Sequence, residues 1–416
     1  MLRGSEVAQF LLPALSVARW LGNEALRTAG TSVNRELTES AESCDLYYGK
    51  AGILLVLLEA FHLTGDARHL EAAKACAEFL DRHLDLVPKF GLYDGLAGIA
   101  FALAQLGRAV PDHRELADRV SSRLRAGARQ SHSGLEWNDS FDIVSGTAGI
   151  GLALLDLSRE SQRSDLLELA VRAGDQLMDT KVQIANGCHW PPARENQKQY
   201  SNFAHGTAGI GYFLARLFGA TGQLKYLQAA RDAANYLQTI MSREGNYRGL
   251  ISHDNLEGRD LFYLGWCHGP AGTSRLFFQL YREIHEERWW QPIHQSAATV
   301  MVSGIPEQIN PGCWNNTGLC CGAAGIADWM LALFAQTARE EYRSFSQRIA
   351  RHLLERASPD QNGLSWVQAE NRKEPQNLAA QVGLMQGSAG IALFLIHLEE
   401  SFRKIEPLFR LPDSPW

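Results

Sequence analysis

The stretch Gly146-Thr-Ala-Gly149-Ile-Gly-Leu-Ala-Leu-Leu-Asp-Leu157 joins a Gly-x-Ala-Gly tetrapeptide to an apolar run. The same join occurs seven times. The other six begin Gly49-Lys-Ala-Gly52, Gly95-Leu-Ala-Gly98, Gly206-Thr-Ala-Gly209, Gly269-Pro-Ala-Gly272, Gly322-Ala-Ala-Gly325 and Gly387-Ser-Ala-Gly390. Successive motifs stand 46 to 65 residues apart. Recurrence at this period marks a repeat architecture. Each following run is apolar nearly all round, as a buried helix is, and paired glycines permit close backbone approach where that helix begins.

Between motifs lies a second kind of segment. In Asp66–Leu84, residues Leu70, Ala73, Ala77, Leu80 and Leu84 recur at three- and four-residue steps. The segments 223–241 and 339–357 carry the same stripe, which predicts helices with one wet face. One such segment precedes each motif, and the apolar start Met1–Trp20 reads as the first of them. The sequence therefore predicts an all-α protein, an (α/α)7 toroid of seven inner and seven outer helices forming a single domain over 1–416. A helical solenoid is the structural alternative, but it needs polar capping repeats, and both ends of the chain look like ordinary repeats. Short stretches such as Gly134–Trp137 and Gly363–Trp366 suggest small β-hairpins at one mouth of the ring.

Bulk properties exclude several classes. Across 416 residues the formal net charge is -6, with 45% hydrophobic and 21% charged residues, so there is no basic footprint for nucleic acid. Apolar stretches are interrupted before about 18 residues, so no transmembrane helix is expected. The start lacks a signal cleavage pattern. Seven cysteines, an odd number, fit reduced cytoplasmic thiols better than a disulfide framework.

In a closed ring the residues just before each motif face one cavity. They are Tyr48, Asp94, Ser145, His205, His268, Cys321 and Gln386; one position earlier stand Tyr47, Tyr93, Val144, Ala204, Cys267, Cys320 and Met385. The frame repeats while these tips diverge into reactive groups, as in a scaffold that carries a site. Cys267 and the pair Cys320–Cys321 fall in successive repeats at equivalent positions. Lone free cysteines are usually small buried hydrophobes. Three at equivalent positions read instead as ligands of one zinc ion, with a fourth position open as in catalytic sites; His268 is an alternative ligand for one of them. Cys44, Cys76, Cys188 and Cys313 read as structural, and Cys188-His189 lacks a repeat-equivalent partner.

Trp266-Cys267-His268-Gly269 and Cys320-Cys321-Gly322, set in seven Gly-rich repeats, resemble the lanthionine synthetase C-like (LanC) cyclases along essentially the whole chain. The Cys-Cys-Gly motif is similar to that in cyclase domains of some bifunctional lanthipeptide synthetases; other members have Cys-His-Gly. The resemblance implies an α/α barrel, one catalytic zinc per chain, and addition of peptide cysteine thiols to dehydroalanine or dehydrobutyrine to give (methyl)lanthionine thioethers. It implies a dehydrated precursor peptide as partner, supplied by a separate dehydratase or a synthetase complex. Asp142 in Asp142-Ile-Val-Ser-Gly146 and His205 in Ala204-His205-Gly206 match the family's active-site aspartate and histidine. Where some members place an arginine four residues before the first zinc cysteine, this chain has Tyr263, with Arg259 one helical turn further away.

The chemistry expected is zinc activation of a thiol, with His205 as proton donor to the α-carbon. Asp142 would orient a histidine or accept the thiol proton, and His268 would donate to the enolate oxygen. Against these stand a helix-capping role for Asp142 and an orienting role for His268, while Tyr48, Tyr93 and Asp94 are expected to line the pocket only. Competing readings are addition of glutathione or another thiol to dehydrated proteins, and a non-catalytic peptide-binding scaffold. Prenyltransfer on an α/α barrel fits the Cys-Cys pair poorly. A glycosidase built on Asp94 and Asp142 would leave three sulfurs without a purpose.

Overall fold

The computed structural model describes residues 4–29, 43–191, 198–308, 312–360 and 363–416. The expected 1–416 extent includes stretches outside these. Seven inner helices follow the seven motifs: α2 (Lys50–Thr64), α4 (Leu96–Ala109), α6 (Thr147–Ser161), α8 (Thr207–Thr221), α10 (Pro270–Ile284), α12 (Ala323–Thr337) and α14 (Ser388–Arg403). Seven outer helices alternate with them: α1 (Gly4–Ala29), α3 (Ala67–His83), α5 (Arg114–Ala126), α7 (Ser164–Thr180), α9 (Leu224–Ile240), α11 (Trp290–Val302) and α13 (Glu340–Glu355). Both counts agree with the repeat.

Each inner helix packs on the next, and α14 packs on α2, so the inner barrel closes. Each outer helix lies against the inner helix before it in sequence. Helix α1 has no such predecessor and is the outer partner of α14, which rules out the solenoid. The inner helices are mostly buried; in α2, 11 of 15 residues are, from Ala51 to Leu63. The outer helices bury one stripe, such as Tyr226, Ala230, Ala233 and Leu237 of α9.

The motif's second glycine is dictated by sterics. A Cβ on Gly52, Gly98, Gly149, Gly209, Gly272, Gly325 or Gly390 would meet, at 1.9 to 2.5 Å, the carbonyl oxygen of the residue six earlier. Those residues are Leu46, Leu92, Ile143, Phe203, Trp266, Leu319 and Leu384, all buried and apolar. The loop thus folds back on the helix it launches, and only glycine leaves room.

Short antiparallel hairpins follow three outer helices: β1 (Arg129–Gln130) with β2 (Leu135–Glu136), β3 (Val182–Ile184) with β4 (Gly187–His189), and β7 (Ser358–Asp360) with β8 (Gly363–Ser365). Each leads to a tryptophan, Trp137, Trp190 or Trp366. Each indole donates to the carbonyl thirteen residues back, Leu124, Leu177 or Leu353, at 2.6 to 2.7 Å. These are carbonyls in the last turn of α5, α7 and α13, which lack a backbone donor inside the helix; Leu177 O also accepts from Thr180 Oγ1 at 3.3 Å. A parallel pair, β5 (Phe262–Tyr263) and β6 (Cys313–Trp314), and a hairpin, β9 (Val367–Ala369) with β10 (Leu378–Ala380), complete the loop face.

The segment 404–416 departs from the expectation of ordinary repeats at both ends. It runs beneath the inner barrel. Arg216 donates to the Pro412 carbonyl at 3.0 Å, Arg275 to the Asp413 carbonyl at 2.8 Å and Arg282 to the Pro415 carbonyl at 2.6 Å. Trp416 stacks on Phe278 at 4.2 Å.

Candidate metal centre

A ring of backbone hydrogen bonds ties the seven motif loops together. Tyr47 N–H donates to Tyr93 O, Tyr93 N–H to Val144 O, Ile143 N–H to Ala204 O and Ala204 N–H to Cys267 O. Cys267 N–H then donates to Cys320 O, Cys320 N–H to Met385 O, and Met385 N–H back to Tyr47 O, all at 2.8 to 3.1 Å. The third loop takes part through two adjacent residues, Ile143 and Val144. The ring sets the positions of Cys267 and Cys320 before any ligand is considered.

On this ring the three expected cysteines meet. The Cys267 and Cys321 sulfurs lie 3.1 Å apart and the Cys320 and Cys321 sulfurs 3.4 Å apart, all buried. A disulfide needs about 2.05 Å, so these are free thiols. Gln386 Nε2 donates to Cys321 Sγ at 3.8 Å and to the Tyr47 hydroxyl at 3.1 Å. Hydrogen bonds from Cys267 and Cys321 hold Cys320 well below the ordinary thiol range, while burial pushes Cys267 well above it. Three convergent soft donors fit zinc and reject magnesium or calcium. His268 stands outside this donor set.

Beside the thiols, His205 Nδ1 lies 2.7 Å from Asp142 Oδ2. Burial disfavours a charged His205 ring, but the charge and hydrogen bond of Asp142 outweigh it and raise its pKa; the Cys320 charge adds to the rise. Asp142 does not cap α6, whose N-cap is Gly146 without a side-chain hydrogen bond, but it holds the turn that precedes it. Its Oδ1 accepts from the Ser145 and Gly146 amides at 2.8 and 3.0 Å, just ahead of α6. Asp45 does the same for Tyr48 and Gly49, at 2.7 and 3.1 Å, ahead of α2. The same turn thus recurs in two of the seven repeats, and the other five have Gly or Asn at this position. What distinguishes Asp142 is the oxygen turned to His205.

Three histidines cluster here. Their ring centroids lie 5.7 Å apart for His205–His268 and 4.4 Å for His268–His253, with Tyr200 5.0 to 6.1 Å from all three. His268 is buried with Nδ1 unpartnered; burial, then the neighbouring His253 and His205, lower its pKa well below the usual value. Burial lowers His253 to about 4. A cavity of about 80 Å³ opens in front of Asp142 and His205, lined also by Ser140, Trp190, Lys198 and Tyr200.

Sequence reasoning missed His253 and Tyr200, because both lie in connecting segments without repeat register. Two expectations need correction. Residues 257–260 form a turn, so Arg259 is not one helical turn from Tyr263; its Nε donates to Asn255 O in its own loop. The cation that acts on the Tyr263 hydroxyl is Arg372, between β9 and β10, whose charge offsets part of the rise that burial causes in its pKa. Tyr93 does not line this pocket. It is buried beneath the ring, 4.9 Å from Trp266, on a lower cavity of about 410 Å³.

Tyr48 stands at the exposed rim and bonds Glu370. Asp94 accepts from Ser145 Oγ at 2.8 Å and pairs with Lys89 at 3.1 Å. Cys188 Sγ donates to Ala229 O, and His189 Nδ1 lies 2.6 Å from Gln199 Nε2. No metal-ligating group forms around either, among the described residues.

Comparison with known proteins bears on the fold and the family. Glutathione S-transferase LANCL1 of Danio rerio is 23% identical over 378 residues, 88% of this chain and 85% of its own. The structure of nisin cyclase superposes with a TM-score of 0.68 at 16% identity, covering 94% of each chain. Cellobiose 2-epimerase from Bacillus thermoamylovorans shares the helical ring more loosely, with a TM-score of 0.53 and 12% identity over 73% of this chain and 86% of its own. The family model for lanthionine synthetase C-like protein matches residues 40–406, and the chain belongs to that family.

Proposed function

We propose that this protein is a zinc-dependent lanthipeptide cyclase that joins peptide cysteines to dehydroalanine or dehydrobutyrine as thioethers. The observation that carries the reading is the placement of a buried three-thiol set and an Asp142-oriented His205 on one hydrogen-bonded ring of loops. Cys267, Cys320 and Cys321 would hold zinc. Bound there, zinc supplies acidity that keeps an incoming thiol in its thiolate form at neutral pH.

The net reaction adds S–H across a carbon–carbon double bond. The sulfur–Cβ bond forms, the π bond breaks, and one proton ends on Cα. Asp142 raises the pKa of His205 and so favours its protonated form, which suits His205 as the donor to Cα. His268, held neutral by burial, offers a ring N–H to the carbonyl oxygen as negative charge develops there. The cavity before His205 admits a side chain rather than a folded domain. The peptide would come from a separate dehydratase or a synthetase complex.

A second reading rests on the relative named as a glutathione S-transferase, in which the incoming thiol is glutathione. A dehydrated peptide containing free cysteine separates the two. Incubation with the zinc-loaded protein is expected to remove free thiol without changing peptide mass, since ring closure is an isomerisation. A glutathione adduct formed only when glutathione is added favours the second reading. Unchanged thiol under both conditions refutes both and leaves a peptide-binding scaffold.

A further inference from the structure

At the far end of the barrel, α2 carries Glu59-Ala-Phe-His62 and its ring neighbour α14 carries Glu400. Residues three apart on a helix share a face, so Glu59 and His62 point the same way, toward α14. One ligand atom from each of Glu59, His62 and Glu400 lies within 4.8 Å of the others. Among the described residues only the three-cysteine set shares that property.

The oxygens here are short of partners. Glu59 and Glu400 are 0% and 1% exposed. Glu59 Oε1 accepts from the Leu408 amide at 2.7 Å, but Glu59 Oε2 and both Glu400 oxygens are buried without a hydrogen-bond partner. The nearby charges are largely engaged, although His397 also attracts Glu400 and Glu59. His397 lies 2.7 Å from Asp328, and Arg403 pairs with Glu399. Two facing carboxylates are therefore left over. His62 is exposed at one edge, which provides an entry path, and its Nε2 lies 3.0 Å from the Glu406 carbonyl. A backbone carbonyl fixing one ring nitrogen of a histidine is the usual support of a metal ligand. Glu-x-x-His on one helix and a glutamate on its neighbour is also the donor pattern that helix bundles use for divalent metals.

We propose that Glu59, His62 and Glu400 form a second, structural site for a divalent first-row transition ion. Two carboxylates and an imidazole suit manganese or zinc better than calcium. The ion would pin α2 and α14 to each other and to the segment around Glu406–Leu408, at the seam where the ring closes.

The competing arrangement is a proton shared by the two carboxylates, since burial raises Glu400 to about 9. Manganese distinguishes them, because the soft thiolate set disfavours it. The zinc-loaded full chain is titrated with Mn2+ and free Mn2+ is followed by electron paramagnetic resonance. Binding of one Mn2+ per chain is expected. His62→Ala, a surface change that leaves the core intact, and Glu400→Gln should each weaken it about tenfold or more. If the purified chain already holds two zinc ions, His62→Ala should leave one. No Mn2+ bound at millimolar concentration with a single zinc present, or equal binding by wild type and both variants, overturns the proposal. So does a Glu400→Gln variant whose only effect is higher stability regardless of metal.

Discussion

The Trp266 indole donates to Asp413 Oδ2 at 2.7 Å, which links the segment beneath the barrel to the residue beside Cys267. Asp413 is fully buried, and the same oxygen lies 3.0 Å from Arg275. Removing a buried partner strands the groups it satisfied, at a cost of about 3–5 kcal/mol for a buried ion pair. Asp413→Ala should show that loss in denaturant unfolding. If Asp413 also positions the metal loop, zinc release to a competing chelator should accelerate about tenfold. Asp413→Asn, which keeps an acceptor for the indole, should restore much of the release rate while remaining less stable. Unaltered chelation kinetics in Asp413→Ala would confine Asp413 to a packing role.

Asp142 raises the pKa of His205, so a donor that ordinarily loses its proton above about 6.5 stays charged to higher pH. The sign follows for activity. Protonated His205 is present below its folded pKa and lost as pH rises through it. Asp142→Asn keeps an amide oxygen for the Ser145 and Gly146 N–H groups but removes the charge. The alkaline limb of the thiol-addition profile should then move to lower pH, while thermal stability falls by about 1 kcal/mol or less per hydrogen bond altered. A pH profile that only drops in height, with no shift, would remove the charge role from Asp142.

The seven motifs made the ring legible because one steric requirement, a glycine against the carbonyl six residues back, recurs in every repeat. The cysteines were legible for the same reason: they occupy repeat positions. His253, Tyr200 and Arg372 were not, because they arrive on loops of different length, where no period relates sequence to place. Segment 404–416 was missed for a related reason. Three of its contacts are backbone carbonyls taken by Arg216, Arg275 and Arg282, and a carbonyl carries no residue signature. Asp142 shows the limit within the repeat itself. Asp45 makes the same turn, so only the partner of the second oxygen sets Asp142 apart.

The motif glycines give a direct test of the packing argument. A Cβ on Gly98 would lie 2.0 Å from Leu92 O and 2.9 Å from Leu46 Cβ. Backbone on one side and core on the other leave no room for relaxation. Gly98→Ala should therefore destabilise by more than about 3 kcal/mol, although alanine is ordinarily favoured over glycine in a helix by about 1 kcal/mol. Gly222, left-handed with φ 69° and open space around its Cβ position, is the control. Gly222→Ala meets no clash and should lose only about 1–2 kcal/mol, from its backbone conformation. Equal losses in urea titrations of the two variants would contradict the close-approach reading.

The donor set also predicts how readily a bound substrate sulfur reacts. Three cysteine thiolates place one more negative charge around zinc than two cysteines and a histidine would. Greater charge on the donors leaves less electron demand at the metal, so the substrate sulfur stays more nucleophilic. Cys321 is the position to vary, because other family members have histidine in this motif. It is also the cysteine that Gln386 touches, at 3.8 Å. Cys321→His should keep about one zinc per chain and add thiol to the same dehydrated peptide more slowly than wild type. The Cys320→Ala/Cys321→Ala double variant should lose the zinc and, with it, thiol addition, while circular dichroism still reports the helical ring. If Cys321→His is faster with metal content unchanged, donor charge does not limit the reaction, and proton delivery from His205 becomes the step to measure.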